Sequence, residues 1–167
     1  MSKTYTIDAL EYIAKVSEGG MRTAISYLDK VSSFTDEITV ENVVKALGIS
    51  DYDNLYKLLF LICTDCKKPS IEIIEEVYNQ GKDLKLFIKQ FIQFILDVCK
   101  YLLYDSFDYI QIPNNMNLEQ FKGSNTEANY ELLLNILDEM IELSNQIKYE
   151  QNPKVLIESK ILMLCKE

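Results

Sequence analysis

The sequence has no histidine and no tryptophan, and only one of its 17 basic residues is an arginine. Without histidine there can be no Ser-His-Asp triad, no Cys-His pair, no HExxH zinc helix and no imidazole switching charge near neutral pH. Glycine and proline are scarce, at five and three in 167 residues. So little punctuation favours long helices over a turn-rich β-fold. Neither a Walker A loop nor a GxGxxG turn occurs, so the chain brings no phosphate-cradling loop of its own. No apolar run approaches the ~20 residues that cross a bilayer. The opening MSKTYTIDAL also lacks the continuous apolar stretch of a signal peptide. A cytoplasmic chain with no membrane partner is the expectation.

What is present is mainly apolar and acidic. Acidic residues outnumber basic ones 26 to 17, a net charge of -9, where a phosphate-backbone binder needs a basic surface. Direct nucleic-acid binding is therefore not expected. Cys63-Thr-Asp-Cys66 has redox or zinc spacing, but no second CxxC and no histidine complete a tetrahedron. Buried reduced thiols are expected at Cys63, Cys66, Cys99 and Cys165, and no metal site. The carboxylate pairs Glu75-Glu76 and Asp138-Glu139 are neighbours in sequence, so they point to different sides of a helix and read as solvated surface. No catalytic residue emerges.

Apolar spacing predicts helices throughout and no sustained strand alternation, hence an all-α fold. Thr6 caps a first helix with Ile7, Leu10, Ile13 and Ala14 on its apolar face, ending at Gly19-Gly20. Met21, Ala24, Ile25, Leu28 and Val31 make the stripe of a second, and Thr39 caps a short third that Gly48 stops. Ser50 with Asp53 resembles a capping box opening a helix to about Cys63. Pro69-Ser70 starts Ile71–Gln80, and residues 83–104 form one long helix. Pro113, Asn114, Asn115 and Gly123 mark residues 105–125 as an irregular connection. A second long helix runs from Thr126 to about Tyr149, and Pro153 opens a last one to Cys165. The two long helices carry apolar bands wide enough to suggest contact from more than one direction, as at an inter-subunit surface or inside a bundle. Residues 1–48 hold five basic and seven acidic side chains, and residues 49–167 hold twelve and nineteen. A boundary in Gly48–Asp53 separates a small lobe from a larger acidic bundle.

Arg22 stands out chemically. Its planar guanidinium grips phosphate oxygens in a fork that lysine cannot form. A cation in a helix's first turn also opposes the helix dipole, so it needs another reason to be there. A salt bridge to Glu18 or Asp29 is the plainer alternative.

The run Ala9-Leu10-Glu11-Tyr12-Ile13-Ala14 followed by Ser17-Glu18-Gly19-Gly20-Met21-Arg22-Thr23-Ala24-Ile25-Ser26-Tyr27-Leu28-Asp29-Lys30 resembles the lid of the AAA+ clamp-loader ATPases. It is most similar to the gamma/tau subunits of bacterial DNA polymerase III, whose pattern there is AL..IA..SEG.MRDALSLLDQ. Gln80-Gly81-Lys82-Asp83 before a long apolar helix continues the likeness. Asn152-Pro153-Lys154-Val155-Leu156-Ile157-Glu158 is similar to that family's NPRLLLE start of its last helix. Thr23 and Lys154 depart from the family's Asp and Arg, and the family's nucleotide-binding domain is not present.

The resemblance implies a small three-helix AAA+ lid over 1–48 and a helical-bundle collar over 49–167. It implies that Arg22 is the sensor 2 residue, contacting ATP phosphates held with Mg by the missing domain. ATP is not expected to bind tightly to this chain alone. The implied partners are other clamp-loader subunits through the collar, with the sliding clamp and primed DNA reached through the whole complex. Two other readings stay open. One is the lid and C-terminal domain of a different AAA+ replication or recombination ATPase. The other is a stand-alone helical interaction module in which Arg22 only salt-bridges.

Overall fold

A computed structural model describes residues 3–17, 19–48, 52–112, 116–123 and 126–165, apart from the side chains of 126–128. Eight α-helices account for most of them, so the chain is all-α as its periodicity predicts. The chain divides into two compact units, residues 1–51 and 52–167. Among the described residues no helix is long and apolar enough to cross a membrane.

The small unit contains α1 (Ile7–Val16), α2 (Met21–Phe34) and α3 (Val40–Leu47). Two-residue strands β1 (Thr4–Tyr5) and β2 (Glu37–Ile38) add a parallel bridge, pairing Thr4 with Glu37 and Tyr5 with Ile38. Two residues are too few to show alternation, which is why the pattern missed them. The Lys3 ammonium fastens the same corner, donating to the Ser32 and Thr35 carbonyls and pairing with Asp36 at 3.1 Å. Thr39 Oγ1 accepts the Asn42 amide at 3.3 Å and Gly48 closes α3 in the left-handed region, both as expected. Thr6 occupies the N-cap of α1, but its side chain makes no cap; its hydroxyl lies 3.5 Å from the Ile38 carbonyl.

The apolar faces differ from the predicted ones. Among the described residues, Ala9, Tyr12, Ile13, Val31, Ile38 and Val43 are the buried apolar ones here. Ile7 is 72% exposed, Met21 75% and Ile25 54%, and Ala14 is exposed. Three short helices present too little facing surface to cover a four-turn stripe, so the first half of the α2 stripe lies open.

The larger unit holds α4 (Tyr52–Cys63), α5 (Lys67–Asn79), α6 (Leu84–Tyr104), α7 (Thr126–Ile147) and α8 (Pro153–Leu164). Ser50, half of the proposed capping box, lies outside the described residues. Helix α5 begins at Lys67 rather than Ile71, because Pro69 fits within a first turn whose amides have no helical partner anyway. Asp83 caps α6, accepting the Lys85 and Leu86 amides at 2.8 and 3.3 Å.

Helix α6 is the centre of this unit and packs on α4, α7 and α8. Phe87, Phe91, Phe94, Ile88, Ile95 and Val98 are buried against Leu58, Leu59, Leu133, Met140, Ile157 and Ile161 in one core. The broad apolar band of α6 is therefore enclosed by the chain's own helices, and its width needs no second molecule. Apolar side chains left outside include Leu86, Leu103 and Tyr104 on α6, Leu134 and Ile141 on α7, and Val155, Leu162 and Met163 on α8.

The 105–125 connection is more than irregular chain. It includes a 3-10 turn over Leu118–Phe121, and it buries Ile110, Ile112, Leu118 and Phe121 in the core. Asp97 on α6 is 1% exposed and holds this segment, accepting the Gln111 amide at 2.8 Å and the Gln93 carboxamide at 2.9 Å. Tyr101 donates to Glu119, and Lys122 spans Glu119 (3.0 Å) and Asp105 (2.7 Å). Those two donors hold the Glu119 carboxyl below the usual range, and the same Glu119 bond raises the Tyr101 phenol. Pro113, Asn114 and Asn115 lie outside the described residues.

Candidate functional site

The sequence singles out Arg22, and the local backbone accounts for where it sits. Ser17 ends α1 with its buried hydroxyl donating to the Ile13 carbonyl at 2.6 Å, and the Gly20 amide returns to the Ser17 carbonyl at 2.9 Å. Gly19 has φ +78, which an L side chain rarely adopts. A Cβ on Gly20 would lie 3.1 Å from Thr23 Oγ1 and 3.2 Å from the Ser17 carbonyl, so a larger residue there would have to push the turn open by a few tenths of an ångström. The Gly20 carbonyl then accepts the Ala24 amide at 2.9 Å, starting α2 with Arg22 in its first turn.

That first turn contains no acidic residue. Arg22 is exposed, and neither a hydrogen bond nor an ion pair joins it to any described residue, Asp29 included. Glu18, the other candidate partner, lies outside the described residues. Met21 and Ile25, predicted to face inward, are exposed beside it. The guanidinium thus stands uncommitted at a helix start, edged by uncovered apolar surface. Such a group can receive an anion in bidentate fashion.

The other candidates serve the fold. Burial, and then the Asp65 charge, pushes the Cys63 thiol up to about 12; burial pushes Cys99 up to about 11 and also raises Cys165. These thiols are neutral and poorly nucleophilic near pH 7. Among the described residues no three His, Cys, Asp or Glu side chains gather as a metal-ligand set. The carboxylate pairs are not simply solvated. Glu75 pairs with Lys154 at 2.6 Å, and Glu139 with Lys160 at 2.6 Å, bracing α8 against α5 and α7. Glu75 draws the Lys154 pKa upward, as Glu139 does that of Lys160. Asp138 stays exposed.

The described residues of the larger unit include two cavities. One, of about 110 Å³, is bounded by Phe60, Cys63, Phe121 and Leu133 among others. The second, of about 250 Å³, is lined by Lys85 and Lys89 from α6 with Ser144, Asn145, Ile147 and Lys148 from the end of α7. Its third lysine, Lys148, lies about 60 positions from Lys85 and Lys89, too far for sequence spacing to join them. The four-residue spacing of Lys85 and Lys89 on one helix face was the only available signal.

No protein-family profile matches the chain. It is 27% identical over 164 residues to DNA polymerase III subunit tau of Bacillus subtilis, covering 94% of this chain and 28% of that protein. It is 24% identical over 96 residues to DNA polymerase III subunit gamma/tau of Mycoplasma genitalium, covering 56% of this chain and 16% of that one. Protein STICHEL of Arabidopsis thaliana is 23% identical over 159 residues, 95% of this chain and 13% of its own length. The chain is thus similar to the gamma/tau subunits along nearly all of its length, as the residues of 9–30 and 152–165 suggest. It spans under a third of the length of each of these relatives.

Proposed function

We propose that this chain is the ATP-sensing lid and the collar of a clamp-loader subunit of a bacterial replicative polymerase, carried on a longer protein that also holds the nucleotide-binding domain. The observation that carries the reading is the uncommitted Arg22 at the start of α2, behind the Gly19-Gly20 turn and within the run that resembles the AAA+ lid. In this reading bound ATP supplies the negative phosphate oxygens and Arg22 supplies the fork that answers them. A charge-assisted contact made only when phosphate is present gives the differential affinity that a switch needs. The exposed Met21 and Ile25 flank that contact and give the lid an apolar edge to lay on its neighbour. The larger unit, with α6 enclosed at its centre, is the rigid collar that joins loader subunits through its outer helix faces.

The decisive experiment replaces Arg22 in the full-length subunit. Arg22→Ala lowers ATP-dependent clamp loading tenfold or more, since a lost bidentate charged contact exceeds the ~1.4 kcal/mol of one decade. Arg22→Lys restores only part of it, because ammonium keeps the charge without the fork. Loading at the wild-type rate in Arg22→Ala would return Arg22 to plain surface. The collar is tested separately with Leu103→Glu and Leu134→Lys, both at exposed apolar positions. These variants fold, yet assemble into complete loaders with at least tenfold weaker affinity by light scattering. Wild-type assembly would place the ring contact elsewhere.

A further inference from the structure

The cavity between the start of α6 and the end of α7 departs from the character of the whole chain. In a molecule of net charge -9, it is lined by three lysines, Lys85, Lys89 and Lys148, with no carboxylate. Ser144 and Asn145 add a hydroxyl and a carboxamide, and Ile147 is the one apolar member. Lysines clustered in this way usually find acids of their own, as Lys122, Lys154 and Lys160 do here. Lys85, Lys89 and Lys148 form no ion pair with any described residue.

The carboxylates nearest in sequence are each engaged elsewhere. Asp83 accepts the Lys85 and Leu86 backbone amides as the cap of α6. Glu142 is held by Lys160 at 3.1 Å and by the Gln146 carboxamide at 3.3 Å. Glu150 accepts the backbone amides of Gln151 and Asn152 at 2.9 and 3.2 Å. One proton of Lys85 goes to the Lys148 carbonyl at 3.2 Å, where the end of α7 offers unpaired carbonyls, and this fixes the ammonium at the rim. Lys148 lies over the Tyr149 ring at 5.3 Å, which orients it without neutralising it. The cavity therefore gathers positive charge that no carboxylate among the described residues pairs with.

We propose that this cavity is a binding site for a phosphate-class anion. Its lining residues carry three ammonium groups, a hydroxyl and a carboxamide within side-chain reach of the space, donors of the kind a tetrahedral oxyanion with several acceptor oxygens takes. At about 250 Å³ it also has room for more than a bare phosphate, so the group can arrive free, on a mononucleotide, or along a nucleic-acid backbone. The site is remote in sequence from Arg22 and stands independently of the lid and collar reading.

The test uses the chain as it is. Inorganic phosphate is titrated at ionic strength held constant with chloride, and backbone amide shifts are followed by NMR. Saturable shifts centred on Lys85, Lys89, Ser144, Asn145 and Lys148 are expected, with a midpoint in the millimolar range or tighter. The double variant Lys89→Gln with Lys148→Gln weakens binding at least tenfold while its dispersed spectrum shows that it stays folded. Lys57→Gln, an exposed lysine on α4 outside the cavity, leaves binding unchanged. Repeating the titration with a 5′-mononucleotide and a short single-stranded oligonucleotide distinguishes the source by which of the three saturates the same amides at lowest concentration. Shifts that fail to saturate, that spread equally to Lys57, or that persist in the double variant overturn the site.

Discussion

Arg22 and two cysteines of the larger unit's core follow opposite rules in this chain. Arg22 sits where neither its charge nor its position helps the helix beneath it, whereas Cys63 and Cys99 sit where any charge is penalised. The thiols give a direct prediction. Their folded pKa values are raised above the ordinary 9, to about 12 and about 11, chiefly by burial. The stability they support is then fully present below pH 9 and is lost as pH climbs towards 11–12, where the unfolded state ionises first. Urea midpoints measured from pH 7 to pH 11 stay level to about 9 and then fall. The fall is smaller in a Cys63→Ser, Cys99→Ser variant than in the parent chain. At pH 8, iodoacetamide labels Cys63 on the order of a thousandfold more slowly than a free thiol, in proportion to its thiolate fraction. Equal labelling rates for Cys63 and a free thiol would show that the site opens faster than the static burial implies.

Among the elements, the 105–125 connection is where sequence reading and structure part. Its Asn, Gly and Pro content hid the four apolar residues it buries, because turn signals dominate a window that also holds Ile110, Ile112, Leu118 and Phe121. Asp97 was equally hard to see, a lone acid in an apolar helix that finds its partner 14 residues on. Gly123 belongs to the same device. It has φ +57, which L side chains rarely adopt, and a Cβ there would meet the end of the Asn129 side chain at 2.0 Å and force it to move. Asp97→Ala is expected to cost about 2 kcal/mol in urea denaturation, because the part-buried Gln111 amide loses its acceptor and the buried Asp97 site is left empty. Hydrogen exchange should show the loss first at Gln111, with Asp97→Asn intermediate. Unchanged protection at Gln111 would mean that the connection is held by its apolar residues alone. The long helices themselves were legible nearly to the residue, α6 and α8 above all. The apolar spacing of α6 is strong, whereas α8 has almost no one-sided pattern, and their starts carry Asp83 and Pro153, signals that act locally. What periodicity could not reveal was which side of an apolar stripe would be covered. Met21 and Ile25 share the spacing of Leu28 and Val31 and still lie outside.

At the scale of the whole molecule the two units differ in how much core supports them. The larger one encloses three phenylalanines at the centre of a continuous cluster, while among the described residues six buried apolar side chains hold the smaller. A unit of about 50 residues with so small a core is marginal. Unfolding is accordingly expected in two steps, the small unit first. Val31→Ala moves only the early transition, and Phe91→Ala moves the late one by about 3–5 kcal/mol. A single transition shifted by both substitutions would show that the units unfold as one. The bridge between β1 and β2 has a mechanical consequence for the smaller unit. The backbone is stapled across to the α2–α3 corner before α1 begins, through the Thr4 amide on the Asp36 carbonyl and the Thr6 amide on the Ile38 carbonyl. A pull arriving along the chain at Lys3 is thus taken up in shear by that staple and passed to the far side of the unit. The three helices then turn together under load, instead of α1 peeling away first.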